Sequence, residues 1–211
     1  MGRKSFKAIL LVAIALSVPR LAQGLPLGEF DCITGNLSSD CELGTSQLSG
    51  TLEDLDGGVV RLTLFNDGPE ELVVASLYLE SSYLAGLSIG DTEGTSFSLG
   101  GAPPHLPGAN QTFEVDLYAT ADPAPPKNGI GPEESGIFDL VLADGATPGD
   151  LFSDLRVGVH VIAFESGGSE SFVAQPVPEP GAAMLIGLGL ACTAAAARRS
   201  PVRLLAQPPQ F

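Results

Sequence analysis

His160 and Ser169, set among 25 acidic residues, are the side chains that invite nucleophilic chemistry. A serine nucleophile needs a structured elbow, a base within hydrogen-bond reach and an oxyanion hole. Ser169 lies in Gly167-Gly168-Ser169-Glu170, which is not the Gly-x-Ser-x-Gly turn of hydrolases, and His160 stands among alternating valines. A structural strand histidine is therefore expected. Paired carboxylates suit glycoside hydrolysis, but with so many acids no pair stands out, and the chain has no Trp to stack on a sugar. Two His, three scattered Cys and no His-Glu-x-x-His leave zinc without a ligand set. Calcium has one candidate loop, Glu53-Asp54-Leu55-Asp56-Gly57-Gly58, in which Asp54 and Asp56 would be the ligands. The third aspartate and the closing glutamate of such loops are missing, so a solvated hairpin turn is the plainer expectation, and no cofactor is expected. Asn36-Leu37-Ser38 and Asn110-Gln111-Thr112 fit the glycosylation sequon, a pattern short enough to arise by chance.

Charge divides the chain into three. Seven of the ten basic residues lie in the terminal segments, whereas residues 25–177 hold 24 acids against Arg61, Lys127 and Arg156, a formal charge of −21. A surface of that sign repels phosphates, which removes nucleic acid from the list of partners.

Residues 1–24 read as a signal peptide. Arg3, Lys4 and Lys7 precede the apolar run Ala8 to Val18, and Ala22-Gln23-Gly24 supplies small residues before a cut ahead of Leu25. Signal peptidase is thus an expected partner. Export places Cys32 and Cys41 in an oxidising compartment, where a pair nine positions apart in a polar loop is expected to be a disulfide. At the other end, residues 181–197 carry no charge and reach the lower limit of a bilayer span. Arg198, Arg199 and Arg203 follow, so a transmembrane helix over 181–197 would leave the tail 200–211 in the cytoplasm.

The elements between these ends show period two. Val60, Leu62 and Leu64 alternate with polar neighbours, as do Phe113, Val115, Leu117 and Ala119, then Phe138, Leu140 and Leu142, then Val157, Val159, Val161 and Ala163. Leu72–Leu79 is a further strand, entered by the turn Asn66-Asp67-Gly68-Pro69. Shorter strands are expected at 47–55, 84–89, 95–99 and 171–174, with one helical turn at 148–155. Seven to nine short strands between Gly- and Pro-rich loops predict an all-β fold, an antiparallel β-sandwich over 25–176. The long loop 121–136 is expected to cover a sheet edge or to stay mobile.

Val177-Pro178-Glu179-Pro180, the apolar stretch after it and Arg198-Arg199 together resemble the PEP-CTERM sorting signal of bacteria, here over 177–199. The segments Thr63–Pro69, Asn128–Glu134, Leu155–Val161 and Gly167–Val173 look like recurrent pieces of the ectodomains in that family. The resemblance implies that an exosortase-type membrane enzyme recognises the tail and cuts near the motif. It further implies a cell surface or extracellular matrix location, in contact with exopolysaccharide. This chain departs from the pattern in its extra stretch Ser200 to Phe211. A glycolipid-anchor signal would end apolar, whereas this tail ends in Gln207-Pro208-Pro209-Gln210-Phe211. The family has no established ectodomain activity, so a non-enzymatic role is the leading expectation. A carbohydrate-binding module would need an exposed platform from Tyr78, Tyr83 and Tyr118; a secreted hydrolase would need carboxylates converging in a cleft.

Overall fold

The computed structural model describes residues 24–177, apart from 91, 102, 103, 111 and 124. The expected signal peptide, apart from its last residue Gly24, and the expected helix over 181–197 lie outside these residues. Among the described residues no helix is long and apolar enough to cross a membrane.

The elements run β1 (Leu25–Pro26), β2 (Asp31–Cys32), α1 (Ser38–Gln47), β3 (Leu48–Asp54), β4 (Val59–Asn66), β5 (Val73–Glu80) and β6 (Leu84–Ile89). They continue as β7 (Phe97–Leu99), β8 (Leu117–Ala121), β9 (Glu134–Leu142), α2 (Pro148–Asp154), β10 (Arg156–Ile162) and β11 (Glu170–Ala174). Two antiparallel sheets result, in the orders β1-β3-β4-β9-β6 and β2-β11-β10-β5-β8-β7. Alternation drives the pairing, because each strand puts every second side chain on the same face. Val60, Leu62 and Leu64 of β4 and Phe138 and Leu140 of β9 join Leu77, Leu79, Val157, Val159 and Phe172 from the opposite sheet in one buried cluster. Phe97 meets Phe138 edge to face, with centroids 5.2 Å apart, and so ties β7 to the facing sheet. This is the expected sandwich. α2 was equally legible: Thr147 and Asp150 form a reciprocal capping box ahead of Pro148.

Three expectations change. First, the run from Phe113 is not one strand. Leu117 and Ala119 enter the main core, but Phe113 and Val115 pack on the outer face of the six-stranded sheet with Tyr78, Leu106 and Ala109. Leu106 and Phe113 lie over that face because Gly158 has no side chain: a Cβ there would stand 2.7 Å from Leu106 Cδ2 and 3.1 Å from Phe113 Cζ. Arg156 fastens the cover, donating to Thr112 O at 2.7 Å and lying 4.8 Å from the Phe113 ring centroid. β5 is consequently buried on both faces.

Second, Cys41 sits in a helix rather than a loop. α1 has no side-chain cap at Leu37 and presents no apolar stripe, so periodicity gave no sign of it. Gly44, at mid-helix, costs about 1 kcal/mol in propensity. It lets α1 close on the sheet, since a Cβ would lie 2.1 Å from Phe172 Cζ. Third, of the two expectations for 121–136 the structure supports attachment to a sheet rather than mobility, and the connection is shorter, since Ala121 ends β8 and Glu134 begins β9. Ile130 is fully buried and exchanges backbone hydrogen bonds of 3.0 and 3.1 Å with Val74, continuing the pairing of β5 past the end of β8.

Candidate functional site: the exit of the C-terminal tail

β11 does not simply end. Its chain runs on through Gln175, Pro176 and Val177, which lie against the first residues of the domain. Gly28 N–H donates to Gln175 O at 2.6 Å, Val177 N–H donates to Pro26 O at 3.2 Å, and Leu27 and Pro176 form a β-bridge. On its other side the same N-terminal segment pairs with β3, through Leu25–Leu52, Pro26–Thr51 and Leu27 N–H to Gly50 O at 2.8 Å. The start and the end of the domain therefore form one edge that bridges the two sheets. An open cavity of about 600 Å³ adjoins it, lined by Gly28, Glu29, Asp31, Ile33, Arg156 and Gln175–Val177. Val177, the first residue of the expected sorting signal, is 44% exposed. Pro178, Glu179, Pro180, Arg198 and Arg199 lie outside the described residues.

The second organised region holds the cysteines. Cys32 and Cys41 form the expected disulfide, with Cα atoms 5.5 Å apart. The carboxylate of Glu170 lies beside it, fully buried. One of its oxygens accepts from Leu37 N–H at 2.7 Å; the other accepts from Asn36 N–H at 3.1 Å and from the Thr34 hydroxyl. Burial pushes this carboxyl up, but the hydrogen bonds from Thr34, Leu37, Asn36 and Gly35 outweigh it and hold the group below its ordinary pKa. Glu170 thus fixes, from a distant strand, the turn at Asn36 and Leu37 that enters α1. Asp40, also buried, accepts from Ser166 Oγ at 2.5 Å and fixes the β10–β11 loop against the same helix. Replacing Cys32 and Cys41 by Ser removes a cross-link over a short loop and is expected to lower stability by about 2–3 kcal/mol. Chemical denaturation of the variant against the oxidised wild type checks this; coincident curves would assign the disulfide no stabilising role.

The other candidate residues are dispersed. His160 Nδ1 lies 3.2 Å from Ser171 Oγ, not against Ser169, whose carbonyl instead accepts from Asn36 Nδ2 at 2.8 Å. Burial lowers the imidazole pKa, so His160 is a neutral strand residue at ordinary pH. Asp54 and Asp56 occupy the exposed β3–β4 turn, where Asp54 Oδ1 accepts from the Asp56 N–H at 2.9 Å. That bond ties the carboxylate to its own turn. The only cluster of three metal-ligating residues among those described is Cys32, Cys41 and Glu170, and its two sulfurs are bonded to each other. Where carboxylates do gather, serines hold them: Ser81 N–H donates to Asp116 at 2.8 Å and Ser81 Oγ to Asp154 at 2.9 Å. The tyrosines make no platform. Tyr78 is 4% exposed and its phenol is pushed up to about 12 by burial; Tyr83 and Tyr118 are half-buried.

Sequence reasoning missed Glu170 and Gly28, the two residues that build these regions. One acid at the head of an apolar strand and one Gly following Leu27 carry no periodic signal.

Residues 176–200 match the PEP-CTERM protein-sorting motif. The chain carries a PEP-CTERM sorting motif domain. It starts at Pro176, the residue that bridges to Leu27, so the PEP-CTERM signal begins inside the folded edge rather than after a linker. The motif indicates an exported protein sorted by an exosortase. No curated protein and no solved structure matches the chain.

Proposed function

We propose that this protein is a non-enzymatic component of the cell surface or extracellular matrix, delivered there by an exosortase-type enzyme. Residues 1–24 direct export and are removed by signal peptidase, which leaves Leu25 as the first residue of β1. The span 181–197 then holds a membrane-associated precursor, with Arg198 and Arg199 on the cytoplasmic side. The sorting enzyme engages Val177-Pro178-Glu179-Pro180 at the outer face, and the β-sandwich functions outside, among exopolysaccharide. The observation that carries this reading is the PEP-CTERM motif joined directly to a disulfide-bonded β domain.

The electrostatics support it. Two of the three basic residues between 25 and 177 are already paired, Arg61 with Asp139 at 2.8 Å and Arg156 with Glu80 at 2.6 Å, so the acidic excess faces solvent. Such a surface stays hydrated and keeps copies apart. The serine-bound Asp116 and Asp154 and the covered Tyr78 favour this role over hydrolysis or sugar binding.

Deleting the exosortase-type enzyme from the native host tests the proposal. Full-length chain, lacking only the signal peptide, is expected to accumulate in the membrane fraction, while the undeleted host yields a shorter surface or released form. An unchanged distribution and mass after the deletion would refute it.

A further inference from the structure

The sorting motif begins in the edge described above, and that edge restricts where the tail can be reached. A protease binds its substrate as extended chain with free backbone groups. Gln175 O and Val177 N–H are not free, because Gly28 and Pro26 hold them. Leu27, between those two, is 8% exposed and sits in a socket made by Gly50, whose missing Cβ would stand 2.8 Å from Leu27 Cδ1. Gly28 permits the close approach: a Cβ there would lie 3.2 Å from Gln175 O and 3.3 Å from Val177 Cγ2.

We infer that the N-terminal segment Pro26–Gly28 positions the sorting tail, so that the backbone up to Val177 is withheld from a membrane protease and every cut falls beyond Val177. This rests on the sorting reading above. Four Cα steps separate Val177 from Gly181, where the apolar run starts, and they span at most about 14 Å. The cut is therefore confined to a short interval between folded domain and bilayer. The domain's own beginning fixes one end of that interval. Pro26, Leu27 and Gly28 are positioning residues; they do not touch the reacting bond.

The test uses the full-length chain, purified in detergent from a host without the sorting enzyme, as wild type and as Gly28→Val. Under brief treatment with a nonspecific protease, the wild-type domain fragment is expected to retain Val177, and Gly28→Val is expected to give fragments ending at 174–176. Cutting of the wild type at 174–176 as readily as beyond 177 would overturn the inference. So would an unchanged cleavage position in a Gly28→Val protein whose Val177 amide has become exchangeable. Should Gly28→Val fail to fold, hydrogen exchange of the wild type decides alone: the Gly28 and Val177 amides are expected to exchange at least about tenfold slower than free chain, and free-chain rates would overturn the proposal. In the native host, the wild-type product is expected to show one C-terminus past Val177 and the variant ragged ends. A wild-type product still carrying residues 181–211 would sink the sorting reading, while the proteolysis result would still stand or fall on its own.

Discussion

Glu170→Ala is expected to destabilise the domain by about 3 kcal/mol, more than loss of the disulfide. The substitution strands three donors at the entry to α1, the Thr34 hydroxyl and the Asn36 and Leu37 amides. Glu170→Gln keeps the size and one acceptor oxygen, so an intermediate loss is expected. The pH dependence separates charge from shape. The folded pKa lies below the unfolded value, because the hydrogen bonds to the carboxylate outweigh its burial. The carboxylate's contribution is therefore complete above that value and is lost as pH falls through the folded pKa. Protonating the other acids relieves repulsion in the same range and acts in the opposite direction. The informative quantity is the difference between wild type and Glu170→Gln. That difference should shrink as pH drops from 6 towards 3, measured by urea denaturation at each pH. A constant difference would mean that the charge of Glu170 contributes nothing.

The second large effect is on processing. Glu179→Ala, or Arg198→Ala with Arg199→Ala, is expected to leave a full-length, membrane-bound form in the native host. Residues 181–197 are rich in Ala and Gly, and as a membrane span their Leu and Ile would contribute only roughly −0.3 to −0.6 kcal/mol each to insertion. The flanking arginines then contribute much of its placement. A proline restricts its own φ and disfavours helix in the residue before it, so the sequence Pro178-Glu179-Pro180 suits an enzyme that binds extended chain. Intact-mass measurement decides the matter. Normal mature mass in both variants would remove the motif from the recognition event.

The clearest signal came from strands that bury one face. β4 and β9 show the alternation of a sheet with one side in the core; β4 lies within two residues of its expected place, whereas β9 begins at Glu134, inside the expected loop. The run from Phe113 misled because two successive pieces of it are apolar for different reasons: Phe113 and Val115 cover one side of a sheet, Leu117 and Ala119 fill the other. Alternation reports that a face is buried but not which face. α1 was invisible because what holds it lies elsewhere in the chain, in the disulfide, in Glu170 and in Phe172 filling the space over Gly44. Of the exit site, the motif was readable as a string of residues. Its attachment to Pro26–Gly28 was not, since backbone hydrogen bonds between the two ends of a domain leave no mark in side-chain pattern.

The cover over the six-stranded sheet has an optical consequence. With no tryptophan in the chain, its intrinsic ultraviolet emission comes from Tyr78, Tyr83 and Tyr118. Two of these, Tyr78 and Tyr118, lie with ring centroids 4.9 Å apart beside the covering segment that carries Leu106, Ala109 and Phe113. Two of the three native chromophores thus report on one surface segment, and lifting of that segment would alter the emission of the whole protein without any label being attached.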